Sequence, residues 1–158
     1  MKATLPELAL SLAVSACLAA APLRAQERVA ALEQASADTI VEHCLAHAAG
    51  AGHDVVVAVF DQGGNLVAFK RGGAAPAAAA VAQWKGRSAA VYRTSTRETG
   101  SWNVPTAPMI ATIEGGVPLF TADGAVAGGV GVSGAPPEFD AACGEIGARA
   151  AGLRVTHP

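Results

Sequence analysis

Glycines near the end of this 158-residue sequence have the spacing of a known chemical site. Gly129-x-Gly131-x-x-Gly134 matches the dinucleotide-binding turn, in which backbone N–H groups hold a pyrophosphate. That turn needs a helix, a second strand and an acidic residue after it, and too few residues follow Gly134. The sequence therefore argues against nucleotide binding. It predicts instead a buried strand, whose missing side chains let a backbone, a helix or a flat ligand approach closely.

Other candidate ligand residues are two histidines, a methionine and two tryptophans. His43 and His47 are four residues apart, so one helix face would present both imidazoles to a metal ion. The alternative, which we favour, is that they lie on the solvated face of that helix. Met109 is a candidate axial ligand for a haem iron, with packing as the alternative. Trp84 and Trp102 are candidate walls of an apolar pocket, with Trp84 alternatively in the core.

The sequence contains no evident set of catalytic acid, base and nucleophile. Ser133 lacks the second glycine of the G-x-S-x-G nucleophile turn. Asp61 and Asp123 fall in predicted turns, where aspartate is common for backbone reasons. Lys85 follows a stretch of small and apolar residues, so it is either buried or reaches water along its stem. Catalysis is therefore not predicted from these residues.

Composition limits the class of partner. The formal net charge is −2 and no basic cluster exceeds Lys70-Arg71, which argues against nucleic acid. Only 4% of the residues are aromatic, so a surface for stacking bases is not expected. Hydrophobic residues make up 51% of the chain, which is ample for one core, but many are alanines that require close packing of helices on a sheet.

The first 25 residues have the pattern of an export signal. Lys2 is followed by an apolar run over Leu8–Val14, and Ala25 is a plausible last residue before cleavage. We therefore expect a signal peptide over residues 1–25 and a periplasmic or secreted protein. The residues ending at Cys17 resemble a bacterial lipobox, and lipid attachment at Cys17 is one alternative. The other is an amphipathic N-terminal helix of a cytosolic protein.

Removal of this signal leaves two cysteines, Cys44 and Cys143, in the predicted single domain over residues 26–158. An even pair in an exported chain is typical of a disulfide. The alternative is that both are small buried residues in alanine-rich helices.

The periodicity of apolar residues and the turn residues predict an α+β fold. The predicted elements are a helix over about 28–49, strands over 54–60 and 66–70, a helix over 76–93, an irregular segment over 94–114 with a helical turn near 109–113, strands over 117–121 and 125–132, and a helix over 138–151. Two consecutive hairpins form an antiparallel sheet, and the helices must cover its faces.

Several short motifs, taken in order, resemble the GlcG/HbpS family of haem-binding proteins over about residues 28–152. The matching pieces are Val57–Asp61 with Gly63–Val67, Arg71 before Ala74, Ala82 with Lys85, Gly115–Pro118, and Gly129–Ala135 followed by Asp140. The resemblance implies a profilin-like fold, association into a homo-oligomer and haem binding, and in some members haem degradation. It also implies a corrinoid as the alternative ligand, because a related domain occurs beside corrinoid-handling modules.

The resemblance also implies a position for the haem iron. The family pattern is an aromatic residue, arginine, any residue, proline and threonine, eleven residues past a helix lysine. Tyr92–Thr96 matches it, counted from Lys85, with Ser95 in place of the proline. Thr96 is thereby the predicted iron ligand. A neutral hydroxyl binds iron weakly, so such a haem would be exchangeable.

Two arginines flank this threonine. Arg93 and Arg97 are the predicted partners of the haem propionates, because guanidinium groups bind carboxylates bidentately. The complete predicted site, around residues 92–109, comprises Tyr92, Arg93, Thr96, Arg97, Lys85 and Met109. We therefore predict an exported protein that binds haem weakly and reversibly in an oligomer. The alternatives are an auxiliary protein or enzyme acting on a corrinoid or a small organic acid, and a partner of a membrane sensor.

Overall fold

A computed structural model describes residues 31–104 and 106–157, so the predicted export signal and Cys17 lie outside the described residues. Its elements are α1 (Gln34–Gly50), β1 (Val56–Asp61), β2 (Leu66–Arg71), α2 (Pro76–Tyr92), α3 (Thr96–Ser101), β3 (Gly116–Phe120), β4 (Val126–Ser133) and α4 (Pro137–Ala150). The first helix begins at Gln34, six residues later than predicted. Within the described ranges, no helix is long and apolar enough to span a membrane.

The four strands form one antiparallel sheet in the order β2-β1-β4-β3. Helix α2 packs on one face of this sheet, while α1 and α4 pack together on the other. The predicted α+β class, with an antiparallel sheet covered by helices on its faces, is confirmed.

Strand β1 and the residue before it serve both faces of the sheet because successive side chains point to opposite sides. The side chains of Val55, Val57 and Val59 join the core under α1 and α4. Those of Val56, Ala58 and Phe60 join the smaller core under α2. This explains why the strand is apolar throughout instead of alternating between apolar and polar residues.

Helices α1 and α4 are joined by a disulfide between Cys44 and Cys143, whose Cα atoms are 4.8 Å apart. Both residues are fully buried, so both alternatives that the sequence left open hold at once. The bridge spans 99 residues of sequence. Closing so long a loop restricts the unfolded chain, which stabilises the fold.

Helix α2 lies directly against the backbone of β4. A Cβ atom placed on Gly131 would lie 2.0 Å from the Ala82 carbonyl oxygen and 2.2 Å from the Gly86 nitrogen. A Cβ atom on Gly129 would lie 2.5 Å from the Ala90 nitrogen. The close approach predicted from the glycines is therefore confirmed, but the approaching group is a helix. The alternative of a flat ligand on these glycines is wrong because α2 fills the space.

The segment between α2 and β3 differs from the prediction. The structure contains α3 at Thr96–Ser101 and has no helical turn over residues 109–113, where one was expected. Ser95 caps α3, since its hydroxyl accepts a hydrogen bond from the Glu98 N–H at 3.3 Å. Its φ of −63° is the value that a proline ring would impose. Serine at this position therefore has a φ that proline would also adopt.

Candidate functional site

Arg93 and Arg97 line an open cleft of about 540 Å³ at the outer edge of β3. The walls of the cleft are the start of α3, strand β3, one side of α4 and the C-terminal segment over residues 155–157. The apolar residues that line it are Val117, Pro118, Phe120, Ala141, Ala142 and Val155. The cleft therefore combines an apolar surface with two cationic side chains.

Carboxylates also line this cleft. The Arg97 Nε donates a hydrogen bond to Glu114 at 2.8 Å, and this bond and the charge of Glu114 hold the pKa of Arg97 above its ordinary value. Arg93 ends α2 in a left-handed conformation with φ of 57°. The other acidic lining residues are Glu98, Glu138 and Glu145. An anionic ligand would thus meet two guanidinium groups and four carboxylates, which favours weak binding.

Thr96 does not line the cleft. It is fully buried, and its Oγ1 accepts a hydrogen bond from the Gly116 N–H at 2.8 Å. This contact holds the start of α3 against the outer edge of β3. Pro118 has no N–H, and the Phe120 N–H donates to the Arg154 carbonyl at 2.9 Å. The edge strand β3 therefore offers another strand no N–H at Gly116, Pro118 or Phe120.

Lys85 is buried as well. Of the two alternatives that the sequence left open for it, burial is therefore correct, and reach to water along its stem is not. Its Nζ donates to Asp140 Oδ2 at 2.9 Å and to the Val132 carbonyl at 3.0 Å. Burial raises the pKa of Asp140 above its ordinary value, and the hydrogen bond and charge of Lys85 oppose only part of that rise. Because Lys85 belongs to α2 and Asp140 to α4, the ion pair links the helices on the two faces of the sheet.

Tyr92 and Met109 lie away from the cleft. The Tyr92 hydroxyl donates to the Pro108 carbonyl at 2.7 Å, and its ring meets Trp102 edge-on at 6.1 Å. Met109 is exposed and lines a second cavity of about 260 Å³ with Trp84 and three other residues. Trp84 thus walls a pocket, as one alternative predicted. The six predicted residues are not gathered in one place, because only Arg93 and Arg97 reach the larger cleft.

The histidine pair on α1 is divided between solvent and packing. His43 is exposed, whereas the His47 ring stacks on Phe139 at 5.0 Å and the His53 ring is tilted against the same ring at 4.5 Å. In the part of the chain that the structure describes, no three His, Cys, Asp or Glu side chains could together hold a metal ion. The favoured alternative of solvated histidines therefore describes His43 but not His47.

Sequence reasoning assigned no role to His157, which lines the same cleft as Arg93 and Arg97. Its ring packs edge-on against Phe120 at 5.5 Å. The segment that carries it is held to β3 because Arg154 and Phe120 exchange two backbone hydrogen bonds, of 2.8 and 2.9 Å. A histidine so near the end of the sequence has no local pattern that assigns it a place.

These features define a small α+β domain with a ligand-sized cleft at one edge of its sheet. The family model described as "Haem degrading protein HbpS-like" matches residues 32–149, and the chain belongs to that family. Protein GlcG of Escherichia coli K12 is 38% identical over 109 residues, which are 65% of this chain and 81% of GlcG. The GlcG/HbpS resemblance is therefore confirmed.

Solved structures agree with this assignment. A double mutant of Streptomyces reticuli HbpS has a TM-score of 0.72 at 30% identity, with 83% of this chain and 97% of that chain covered. A PduOC:heme complex has a TM-score of 0.74 at 22% identity, with 80% and 99% covered. At that identity the second comparison shows the fold alone.

Proposed function

We propose that this protein binds haem weakly and reversibly in the cleft lined by Arg93 and Arg97. The observation that carries the proposal is that the two arginines chosen for haem propionates lie on one cleft of ligand size. The family description as haem-degrading and the PduOC structure, solved with heme, support the choice of ligand.

The residues of the cleft fit a porphyrin. The volume of the cleft, about 540 Å³, lies within the usual range of small-molecule sites. Pro118, Ala142 and Val155 offer apolar surface to the macrocycle, while Arg93 and Arg97 offer donors to its propionates. Bound haem would supply an iron centre for ligand binding or electron transfer. The neighbouring carboxylates oppose the propionates, which agrees with a loosely held and exchangeable group.

The iron ligand is a separate part of the proposal. Thr96 stays a prediction, and ligation by its hydroxyl requires that the bond from the Gly116 N–H is broken and the buried side chain is exposed. Lys85, Tyr92 and Met109 do not line the cleft, so in this arrangement they would not contact a ligand bound there.

Export and self-association also belong to the proposal. The signal pattern over residues 1–25 supports a periplasmic or secreted location. Leu66 and Phe69 of β2 are 49% and 42% exposed, and apolar side chains exposed on an edge strand favour a homo-oligomer. Cell fractionation and light scattering of the purified protein test these two points. Co-purification from the periplasm tests the predicted membrane sensor partner.

Titration of the mature protein with hemin tests the ligand and its place. We expect a Soret change that saturates at a defined stoichiometry. Arg93→Gln and Arg97→Gln should each weaken hemin binding by about 3- to 10-fold, because each removes a charge-assisted hydrogen bond at an exposed site. Arg87→Gln is the matched control, since Arg87 lines the second cavity with Met109.

Each other outcome has a definite meaning. An absorbance change that never saturates would remove the proposal. A loss of hemin affinity in Arg87→Gln alone would indicate that hemin binds in the second cavity. Binding of hydroxocobalamin without binding of hemin would favour the corrinoid alternative, and binding of small carboxylic acids alone would favour an auxiliary protein or enzyme of organic acids.

A further inference from the structure

The C-terminal segment forms one wall of the cleft and carries a strong iron-binding group into it. Among the described residues that line the cleft, His157 alone has a side chain of a usual axial haem ligand, which are histidine, cysteine, methionine and tyrosine. Other potential donors there are the hydroxyls of Thr94, Ser95 and Thr156 and four glutamates.

The position of His157 is fixed by backbone and ring contacts. Arg154 pairs with Phe120 by the two backbone hydrogen bonds described above, so the segment extends β3 at its outer edge. The His157 ring then rests edge-on against the Phe120 ring. Val155 of the same segment supplies apolar surface to the cleft.

The residue that the family pattern selects is committed elsewhere. Thr96 is fully buried and accepts the Gly116 N–H, so its hydroxyl serves the edge of β3. His157 is exposed and already lines the cleft.

Resting on the proposed haem function, we infer that His157 is the iron-binding side chain of this chain and that Thr96 is a structural residue. Arg93 and Arg97 would then hold the propionate side of the porphyrin while the C-terminal segment holds the iron. In this arrangement residues 155–157 are part of the ligand site.

The experiment compares hemin titrations of full mature protein and of His157→Gly, with His43→Gln on α1 as the matched control, because His43 is an exposed histidine elsewhere. We expect His157→Gly to shift the Soret maximum, change the ferric spin state seen by electron paramagnetic resonance, and weaken binding by about 10-fold or more. Added imidazole should restore the wild-type spectrum in His157→Gly. His43→Gln should match the wild type in every measurement.

The outcomes separate this inference from the proposed function. If wild-type protein fails to bind hemin at a defined stoichiometry, the proposed function itself is lost. If wild-type protein binds but His157→Gly keeps the same spectrum, spin state and affinity, the inference is overturned while haem binding stands. Thr96→Ser and Thr96→Val complete the set. A spectral change in folded Thr96→Val that Thr96→Ser does not show would indicate that Thr96 binds the iron.

Discussion

The two faces of the sheet are packed by different means. On the α2 face, Gly86 meets Gly129 and Gly131, so helix and strand backbones are in direct contact. On the other face, α1 and α4 rest on valine side chains such as Val130 and Val132. The glycine Gly147 is used there for contact between the two helices, since its Cβ would lie 2.5 Å from the Ile40 carbonyl oxygen.

This difference shows where a ligand can bind. Backbone contact between α2 and β4 leaves no space for a ligand at Gly129 and Gly131, and on the other face a disulfide joins α1 to α4. The larger cleft lies at the outer edge of β3, where α4 forms one of its walls, and the second cavity is lined by residues of α2 and Met109. In this fold, α3 and α4 determine the position of the candidate site by forming walls beside the edge of β3.

The largest expected effect is an added methyl group on the α2 face. Gly131→Ala should destabilise the protein by more than about 4 kcal/mol or prevent folding, because the new Cβ would overlap Ala82 and Gly86 backbone atoms. The matched variant is Val130→Ala, whose side chain points to the other face and whose truncation should cost about 2 to 3 kcal/mol. Urea unfolding measures both. Equal losses would show that the two faces are packed alike.

The next effect concerns the ion pair that joins the faces. Lys85→Met should cost about 3 to 5 kcal/mol, because it leaves the buried Asp140 carboxylate without its partner. The double variant Lys85→Met/Asp140→Asn removes the charge and keeps an oxygen for the Ala135 N–H, so much of the loss should be recovered. Thermal unfolding of the four proteins in this cycle measures the coupling. Additive losses would contradict a direct interaction.

A somewhat smaller effect is expected from the disulfide on the opposite face. Cys44→Ala/Cys143→Ala should lower the free energy of unfolding by about 2 to 4 kcal/mol, because the unfolded chain regains the freedom of a long loop. Both cysteines are fully buried, so dithiothreitol should reduce the bridge only as fast as the folded protein opens. Fast reduction of the native protein, followed by mass spectrometry, would show that α1 and α4 separate easily.

The smallest effect is a pH dependence in the β1–β2 turn. Burial raises the pKa of Asp61, but hydrogen bonds from Asn65 and Gly63 outweigh it and leave the pKa below its ordinary value of 3.8. The carboxylate therefore stabilises the fold above that pH, and the contribution is lost as the pH falls through the lowered pKa. Asp61→Ala should be less stable than wild type by about 1 kcal/mol at pH 7. This difference should shrink at pH 3 in urea titrations, and a constant difference would exclude the carboxylate charge as its source.

Local patterns in the sequence predicted most of the fold. The β-branched run of β1 and the Asp61–Asn65 turn mark the first hairpin, and the structure places its strands within two residues of prediction. The glycines of β4 correctly predicted a close approach, but a pattern in one strand cannot say which element approaches. Helix α3 was missed because a helix of six residues is too short for a periodic signal. The Ser95-x-x-Glu98 cap was its detectable sign.

The candidate site was harder to predict because distant contacts determine it. Lys85 meets Asp140 across 55 residues, and Thr96 meets Gly116 across 20, so no local spacing shows that either side chain is committed. Arg93 and Arg97 line one cleft because only three residues separate Arg93, which caps the end of α2, from Arg97, the second residue of α3. The contribution of the C-terminal segment depends on its pairing with Phe120, which becomes visible only in three dimensions.

The two edge strands of the sheet differ in the backbone N–H groups that they can offer to a strand of another copy. The rim at β3 has its amide donors occupied, whereas in the described part of the chain β2 is bonded on one side only, by β1. A protomer with one edge strand open to pairing could form a continuous eight-stranded sheet with one second copy. That pairing would occupy its open edge strand. In the part of the chain that the structure describes, strand pairing between copies would therefore use β2, and further contacts would use the helical faces.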